Sequence, residues 1–255
     1  ADGDTVTVTG LTSTGAFTGA IGGTTGIFNI TGGTGAQNIT TAAGADIING
    51  GADADTITSG AGADTITVGA GQDIIDLTEG AAAADSVIYA TAFVAGNANA
   101  ATITGFAHGA GADTFDVGFA LAHGTLTFAA GTGGTNTIAA STPVTVADNG
   151  TTAANTGVVF LLSGVGDQMA TSNATNAVAN AVTAMTTTGA VADFAAANVA
   201  TGDSLIVVLD DGTNSFVFHY VADATAATTA AADLELIGII NGVADAGTFA
   251  TGDFI

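Results

Sequence analysis

The 255-residue chain has no Lys, no Arg, no Cys, no Trp and a single Pro, Pro143. An average chain is about a quarter charged with both signs present, so roughly 30 basic residues are missing. What remains is 21 Asp, two Glu and three His, a formal charge of −23 at pH 7. Nothing here can neutralise phosphate, so nucleic-acid binding is excluded, as are polybasic attachment to anionic lipid and chemistry that needs Lys or Arg. Salt bridges within the chain are excluded by the same absence, and cations become the expected counterpart. The lack of Cys rules out disulfides and thiol chemistry and leaves the compartment open. No uninterrupted apolar run reaches the roughly 18 residues of a membrane span, and no cationic segment followed by an apolar one opens the chain. The initial Ala in place of Met points to a processed or excised chain.

Apolar residues make up 47% of the sequence, ample for a buried core despite the charge. The 38 Gly, about twice the usual share, together with abundant Thr and Ala, favour close-packed, turn-dense β structure. A repeat runs through this composition without a gap. Ile30, Ile39, Ile48, Ile57, Ile66 and Ile75 are each nine residues apart. In the same register lie Gly26, Gly35, Gly44, Gly62 and Gly71, interrupted once by Asp53, and two places further on Asp46, Asp55, Asp64 and Asp73. Two of the clearest copies are Gly50-Gly-Ala-Asp-Ala-Asp-Thr-Ile-Thr58 and Ser59-Gly-Ala-Gly-Ala-Asp-Thr-Ile-Thr67.

These units resemble the G-G-x-G-x-D-x-U-x nonapeptide of the repeats-in-toxin (RTX) family, whose members form a calcium-binding parallel β-roll. Physical chemistry agrees with the spacing. Gly-rich turns accept positive φ and bring carbonyl oxygens together, and the Asp that ends each turn adds a hard anionic oxygen suited to Ca²⁺. A strand of about three residues follows with its Ile turned inward. Two nonapeptides make one turn of the roll, so Asp46 is expected to meet Asp64, and Asp55 to meet Asp73, across a strand spacing of roughly 4.8 Å. Carboxylates that close repel and raise one another's pKa, so the stack calls for a metal at neutral pH. Gln37 and Phe28 stand at the Asp position in the two earliest copies, which predicts no calcium there and two or three ions in all.

The register breaks at Leu77-Thr-Glu-Gly80. Strands are expected at Ser86–Phe93 and within Ala101–Val117. The second segment is similar to the closing motif of RTX rolls, which implies that Asp113 and Asp116 are ligands at the capped end. The calcium ligands implied in full are Asp46, Asp53, Asp55, Asp64, Asp73, Asp113 and Asp116. Val6–Thr9 alternates as a strand would, and the N-terminal stretch is expected to continue the roll.

Further on, β-prone runs at Thr125–Phe128, Val144–Val146 and Val158–Leu162 alternate with polar turns. A helix is expected within 167–185, with Ala174, Val178, Val182 and Met185 on one face. Ser204–Leu209 and Ser215–Val221 read as a hairpin, and Asp233–Ile240 as another strand. The order D-S-L-I-V-V-x-D-D-G-T-N-S-F-V-F-H-Y, then A-D-L-E-L-I-G, then T-G-D-F-I resembles the C-terminal region of RTX-type bacterial surface-layer proteins. That resemblance implies that Asp253-Phe254-Ile255 is an uncleaved type I secretion signal.

Catalytic motifs fare poorly. Gly202-Asp-Ser-Leu205 spells the nucleophile block of GDSL hydrolases, but His219 has Phe216 three places before it instead of the required Asp. His108, His123 and His219 are scattered, and neither H-E-x-x-H nor G-x-S-x-G occurs. The Thr56/Thr58 and Thr65/Thr67 pairs are too few for an ice-binding array.

The expected fold is mostly all-β: a calcium-binding β-roll with capping strands over 1–119, then a β-rich assembly and secretion region over 120–255 with a helix near 167–185. The expected function is that of an extracellular, non-enzymatic structural protein that folds on calcium and assembles with copies of itself. The second partner class is a cell-surface glycan. Alternatives are a calcium-dependent adhesin and the non-catalytic secretion module of a larger enzyme.

Overall fold

The computed structural model describes residues 5–11, 16–18, 26–92, 94–109, 112–117, 126–130, 134–138, 144–147, 159–163, 169–170, 172–185, 204–222, 230–250 and 253–254. They fall into two compact units, one of residues 1–92, 98–119 and 252–255, the other of residues 93–97 and 120–251.

In the first unit each nonapeptide spends about three residues on a strand and the remainder on a turn. Successive strands alternate between two sheets. One sheet takes β1 (Thr5–Leu11), β3 (Ile27–Gly32), β5 (Ile47–Asn49), β7 (Thr65–Val68), β9 (Ser86–Tyr89) and β11 (Thr114–Val117), in that order and all parallel. The other takes β2 (Ala16–Thr18), β4 (Asn38–Thr40), β6 (Thr56–Thr58), β8 (Ile74–Asp76) and β10 (Ala101–Thr104), again parallel. Parallel neighbours normally need a long crossover. Here the crossover of each sheet is a strand of the other, which is why a repeat of nine suffices.

Strand alternation then decides the core. Ile30, Ile48, Ile66, Val87 and Phe115 stand in register on one sheet, and Ile39, Ile57, Ile75 and Ile103 on the other, each at most 1% exposed. Burial stabilises by roughly 1.5–3 kcal/mol for each such side chain. The alternate positions face outward, Ile47 and Ile74 among them, 48% and 54% exposed. The pairing of β1 with β3 and of β2 with β4 carries the roll to the N-terminal stretch, as the alternation at Val6–Thr9 predicts.

Glycine is required where turns stack. A Cβ on Gly60, whose φ is +87°, would lie 1.8 Å from the Ala42 carbonyl oxygen. Asp53 holds a glycine position with φ +66°, in the left-handed region that Asp tolerates better than most residues.

In the second unit β14 (Val144–Ala147), β15 (Val159–Ser163) and β16 (Ser204–Asp210) run parallel, and β16, β17 (Asn214–Val221) and β18 (Leu234–Asn241) antiparallel. A separate hairpin joins β12 (Leu126–Ala130) to β13 (Gly134–Ile138). Every residue of β16 is buried, as expected of a strand covered on both faces. The β16–β17 turn is fixed by Asp211, whose Oδ1 accepts the Thr213 and Asn214 N–H groups at 3.0 and 2.9 Å.

The helix corrects the sequence reading. α1 spans only Ala177–Met185, and its buried residues are Ala177, Ala181, Ala184 and Met185. Ala174 precedes it, and Val178 and Val182 are only half-buried. The start is set by Asn173, whose Oδ1 accepts the Thr175 N–H at 2.8 Å and whose carbonyl accepts from Ala177. An Asn there caps the helix and ends its backward extension. The face of small Ala side chains lets α1 lie close against β18.

Candidate metal centre

Each inward Ile or its equivalent is preceded two residues earlier by the side chain that ends the turn. In six places this is Asp: Asp46, Asp55, Asp64, Asp73, Asp85 and Asp113, all no more than 2% exposed. One oxygen of each is consumed by the backbone. Asp46 Oδ1 accepts the Phe28 N–H, Asp64 Oδ1 the Asp46 N–H, Asp55 Oδ1 the Gln37 N–H and Asp73 Oδ1 the Asp55 N–H, at 2.7–2.8 Å and 18 residues apart. Two columns result. One holds Asp46, Asp64, Asp85 and Asp113, and the other holds Asp55 and Asp73.

The second oxygens carry the chemistry. Oδ2 of Asp46, Asp55, Asp64 and Asp73 is buried and accepts no hydrogen bond. A buried carboxylate oxygen without a donor or a counter-charge is costly. Burial first, offset in part by the backbone donor and, at Asp46 and Asp64, by the nearby Thr41 and Ser59 side chains, raises the pKa of all four, that of Asp64 to about 7 and that of Asp55 to about 6. Neighbouring carboxylates add to the rise, Asp85 and Asp46 at Asp64, and Asp73 and Asp53 at Asp55.

Among the described residues no three His, Cys, Asp or Glu side chains gather into a metal cluster. The oxygens on offer are instead the carboxylate Oδ2 atoms and the carbonyls of the turns, such as those of Ala42 and Gly44 against which Gly60 and Gly62 close. Oxygen-only donors, part anionic and part backbone carbonyl, fit Ca²⁺ and suit neither Zn²⁺ nor Cu²⁺. Asp46, Asp55, Asp64 and Asp73 would hold the ion through Oδ2. Bound there, it would supply the positive charge that these oxygens lack.

The remaining expected ligands are placed differently. Asp113 belongs to the first column, but both its oxygens are engaged, by the Asp85 N–H at 2.9 Å and the Ala107 N–H at 2.8 Å. Asp53 is exposed and its Oδ2 accepts the Gly35 N–H at 3.1 Å, outside the buried row. Asp116 follows the inward Phe115 on β11 and is half-buried on the outer face.

Asp85 escapes the nine-residue count because its offsets are 21 from Asp64 and 28 to Asp113. Its local signature is intact, since Asp85-Ser-Val87 matches Asp64-Thr-Ile66. Burial, with Asp113 and Glu79 adding to it, pushes Asp85 up to about 6. Glu79, within the insertion, accepts the Gly62 N–H at 3.1 Å, and Asn99 accepts that of Gly71 at 3.2 Å.

The second unit qualifies the exclusion of salt bridges. His219 Nδ1 lies 3.6 Å from Glu235 Oε2, both residues being buried, an ion pair whenever the imidazole is protonated. His108 is exposed, and His123 lies outside the described residues.

The C-terminal residues return to the roll. Asp253 is fully buried, its carboxylate accepts the Gly109 N–H at 2.9 and 3.1 Å, and its carbonyl accepts the Phe115 N–H at 2.7 Å. Phe254 bridges Phe115 in parallel fashion with ring centroids 6.2 Å apart.

Residues 31–66 and 50–81 match the family model of the RTX calcium-binding nonapeptide repeat, in 4 copies. No curated protein and no solved structure gives a match. The repeat segment is therefore an RTX β-roll, and repeats of this kind bind calcium and are typical of secreted, extracellular proteins.

Proposed function

We propose that this chain is a secreted, non-enzymatic structural protein that folds on extracellular calcium and then assembles with copies of itself into a surface layer, filament or matrix. The observation that carries the reading is the row of four buried Oδ2 atoms without donors, in a chain that has no Lys or Arg to pair with them. Where calcium is scarce, as in cytosol, sites of the roughly 10⁻⁴–10⁻³ M class stay empty. Mutual repulsion of the carboxylates then keeps the chain loose for export. Outside, the same carboxylates are neutralised and the roll closes on its Ile core, so binding energy becomes folding energy.

Assembly is supported by the outer faces of the roll. One presents Asn38/Thr40, Thr56/Thr58, Ile74/Asp76 and Thr102/Thr104, the other Asn29/Thr31, Ile47/Asn49, Thr65/Thr67, Ser86/Ile88 and Thr114/Asp116. These faces are almost uncharged although the molecule is strongly acidic, so its like charge opposes face-to-face contact least there. A non-catalytic role is supported by Ser204, which is buried at the start of β16.

The test is electron microscopy of the purified chain, stripped of metal and returned to millimolar Ca²⁺, with Mg²⁺ as control. Sheets or filaments that form only in Ca²⁺ are expected. Separate compact particles in Ca²⁺ would overturn self-assembly and favour an adhesin or a secretion module.

A further inference from the structure

The first described turn of the shorter column ends in Gln37, and its backbone is held as the Asp turns are. The Gln37 N–H donates to Asp55 Oδ1 at 2.7 Å, as the Asp55 N–H does to Asp73 Oδ1 at 2.8 Å. The Gln37 carbonyl accepts the Thr56 N–H at 2.8 Å, as the Asp55 carbonyl accepts that of Ile74 at 2.8 Å. The side-chain oxygens also coincide. Gln37 Oε1 lies 2.7 Å from the point where a Cβ on Gly32 would sit, and Asp55 Oδ2 lies 2.6 Å from the same point on Gly50, each glycine five residues upstream. Both oxygens are buried and accept no hydrogen bond.

The difference is the atom that only the amide carries. Gln37 Nε2 turns back into its own turn, donating to the Gly35 carbonyl in a short contact and to the Thr34 carbonyl at 3.4 Å. A carboxylate has no hydrogen to offer the corresponding carbonyls of an Asp turn, and a cation is the group that could meet them. An amide N–H presents its positive end to the carbonyls and adds no negative charge to attract an ion.

We infer that the Gln37 side-chain amide takes the place of a calcium ion in the 32–37 turn, closing it without metal and setting the N-terminal limit of the ion row in this column. The inference rests on the Asp turns being calcium sites. It differs from the expectation of an empty turn, because it has 32–37 closed by its own side chain where the neighbouring turns need an ion.

The test uses the full chain and three forms: wild type, Gln37→Asp and Gln37→Ala. Bound calcium is counted by equilibrium dialysis, and order at residues 32–40 is followed by hydrogen exchange with and without Ca²⁺. Gln37→Asp is expected to bind one ion more than wild type. Gln37→Ala is expected to bind the wild-type number and, in the calcium-loaded form, to lose protection at 32–40 by on the order of tenfold. Loss of one ion in Gln37→Ala would overturn the inference, since Oε1 would then be a ligand. An unchanged count in Gln37→Asp, with wild type loaded, would overturn it as well. A wild-type chain that binds no calcium would instead remove the underlying reading of the Asp turns, and the inference with it. If Gln37→Asp does not fold, the Gln37→Ala count and its exchange pattern still decide.

Discussion

A carboxylate in this roll has two oxygens with separate duties. At Asp46, Asp55, Asp64 and Asp73, Oδ1 is a backbone acceptor that ties each rung to the one before it, and Oδ2 is buried without a hydrogen bond, which is where the proposed cation would bind. This division fixes the pH response. Burial pushes Asp64 up to about 7 and Asp55 and Asp85 to about 6, from an ordinary 3.8. A carboxyl whose folded value is the higher one favours folding while protonated. Metal-free protein should accordingly be most stable below the unfolded value near 3.8, lose stability as pH climbs from there to about 7, and carry the whole penalty above it. With saturating calcium the trend should invert, because binding requires the deprotonated form. Urea midpoints at pH 5 and pH 8, with chelator and with Ca²⁺, check both signs. A metal-free midpoint that rises with pH contradicts the assignment of burial as the governing cause.

Strand alternation divides one residue type into two classes. Ile57 on β6 is 1% exposed, whereas Ile47 on β5 is 48% exposed. Ile57→Ala should cost about 2–5 kcal/mol, the range for a buried aliphatic truncation. Ile47→Ala should cost under about 1 kcal/mol, little more than the lost strand preference. Denaturant melts in saturating calcium measure both, and equal losses would mean that Ile47 is covered in solution, as assembly through that face would require. The inward row and the stacked Asp pairs were legible in the sequence because a strict nine-residue period admits one register. Asp85 was hidden by the insertion after Leu77, which lengthens a turn without disturbing the Asp-x-Val that follows. The helix face was misread because apolar spacing favours the larger Val side chains, whereas the packing selects the small Ala positions that begin after the Asn173 cap. Gln37 was legible as a departure from Asp. That its amide turns back onto Gly35 and Thr34 needed the backbone of the turn.

At the scale of the molecule, the last residues supply a further rung to the sheet that ends at β11. Exposed strand edges invite pairing with other chains, and a short added bridge covers this one. Sequence could not reveal it, since Gly109 and Asp253 are 144 residues apart. Phe254→Ala should speed amide exchange across residues 105–117 while leaving the calcium titration of the Asp46–Asp73 turns unchanged. Exchange mass spectrometry with a parallel circular-dichroism titration checks this. Unaltered exchange would mean that the tail does not close the edge.

The alternation of consecutive nonapeptides between two sheets also governs how such a chain can change in length. Excising 18 residues, 47–64 for example, would bring equivalent positions of one column together and leave every later strand on its own sheet. Excising nine would preserve the written pattern yet send all later strands to the opposite sheet, splicing a row of four carboxylates onto a row of two. Gains and losses in genes of this architecture should therefore come in whole coils, as a threaded rod is shortened by complete turns if its nut is still to run.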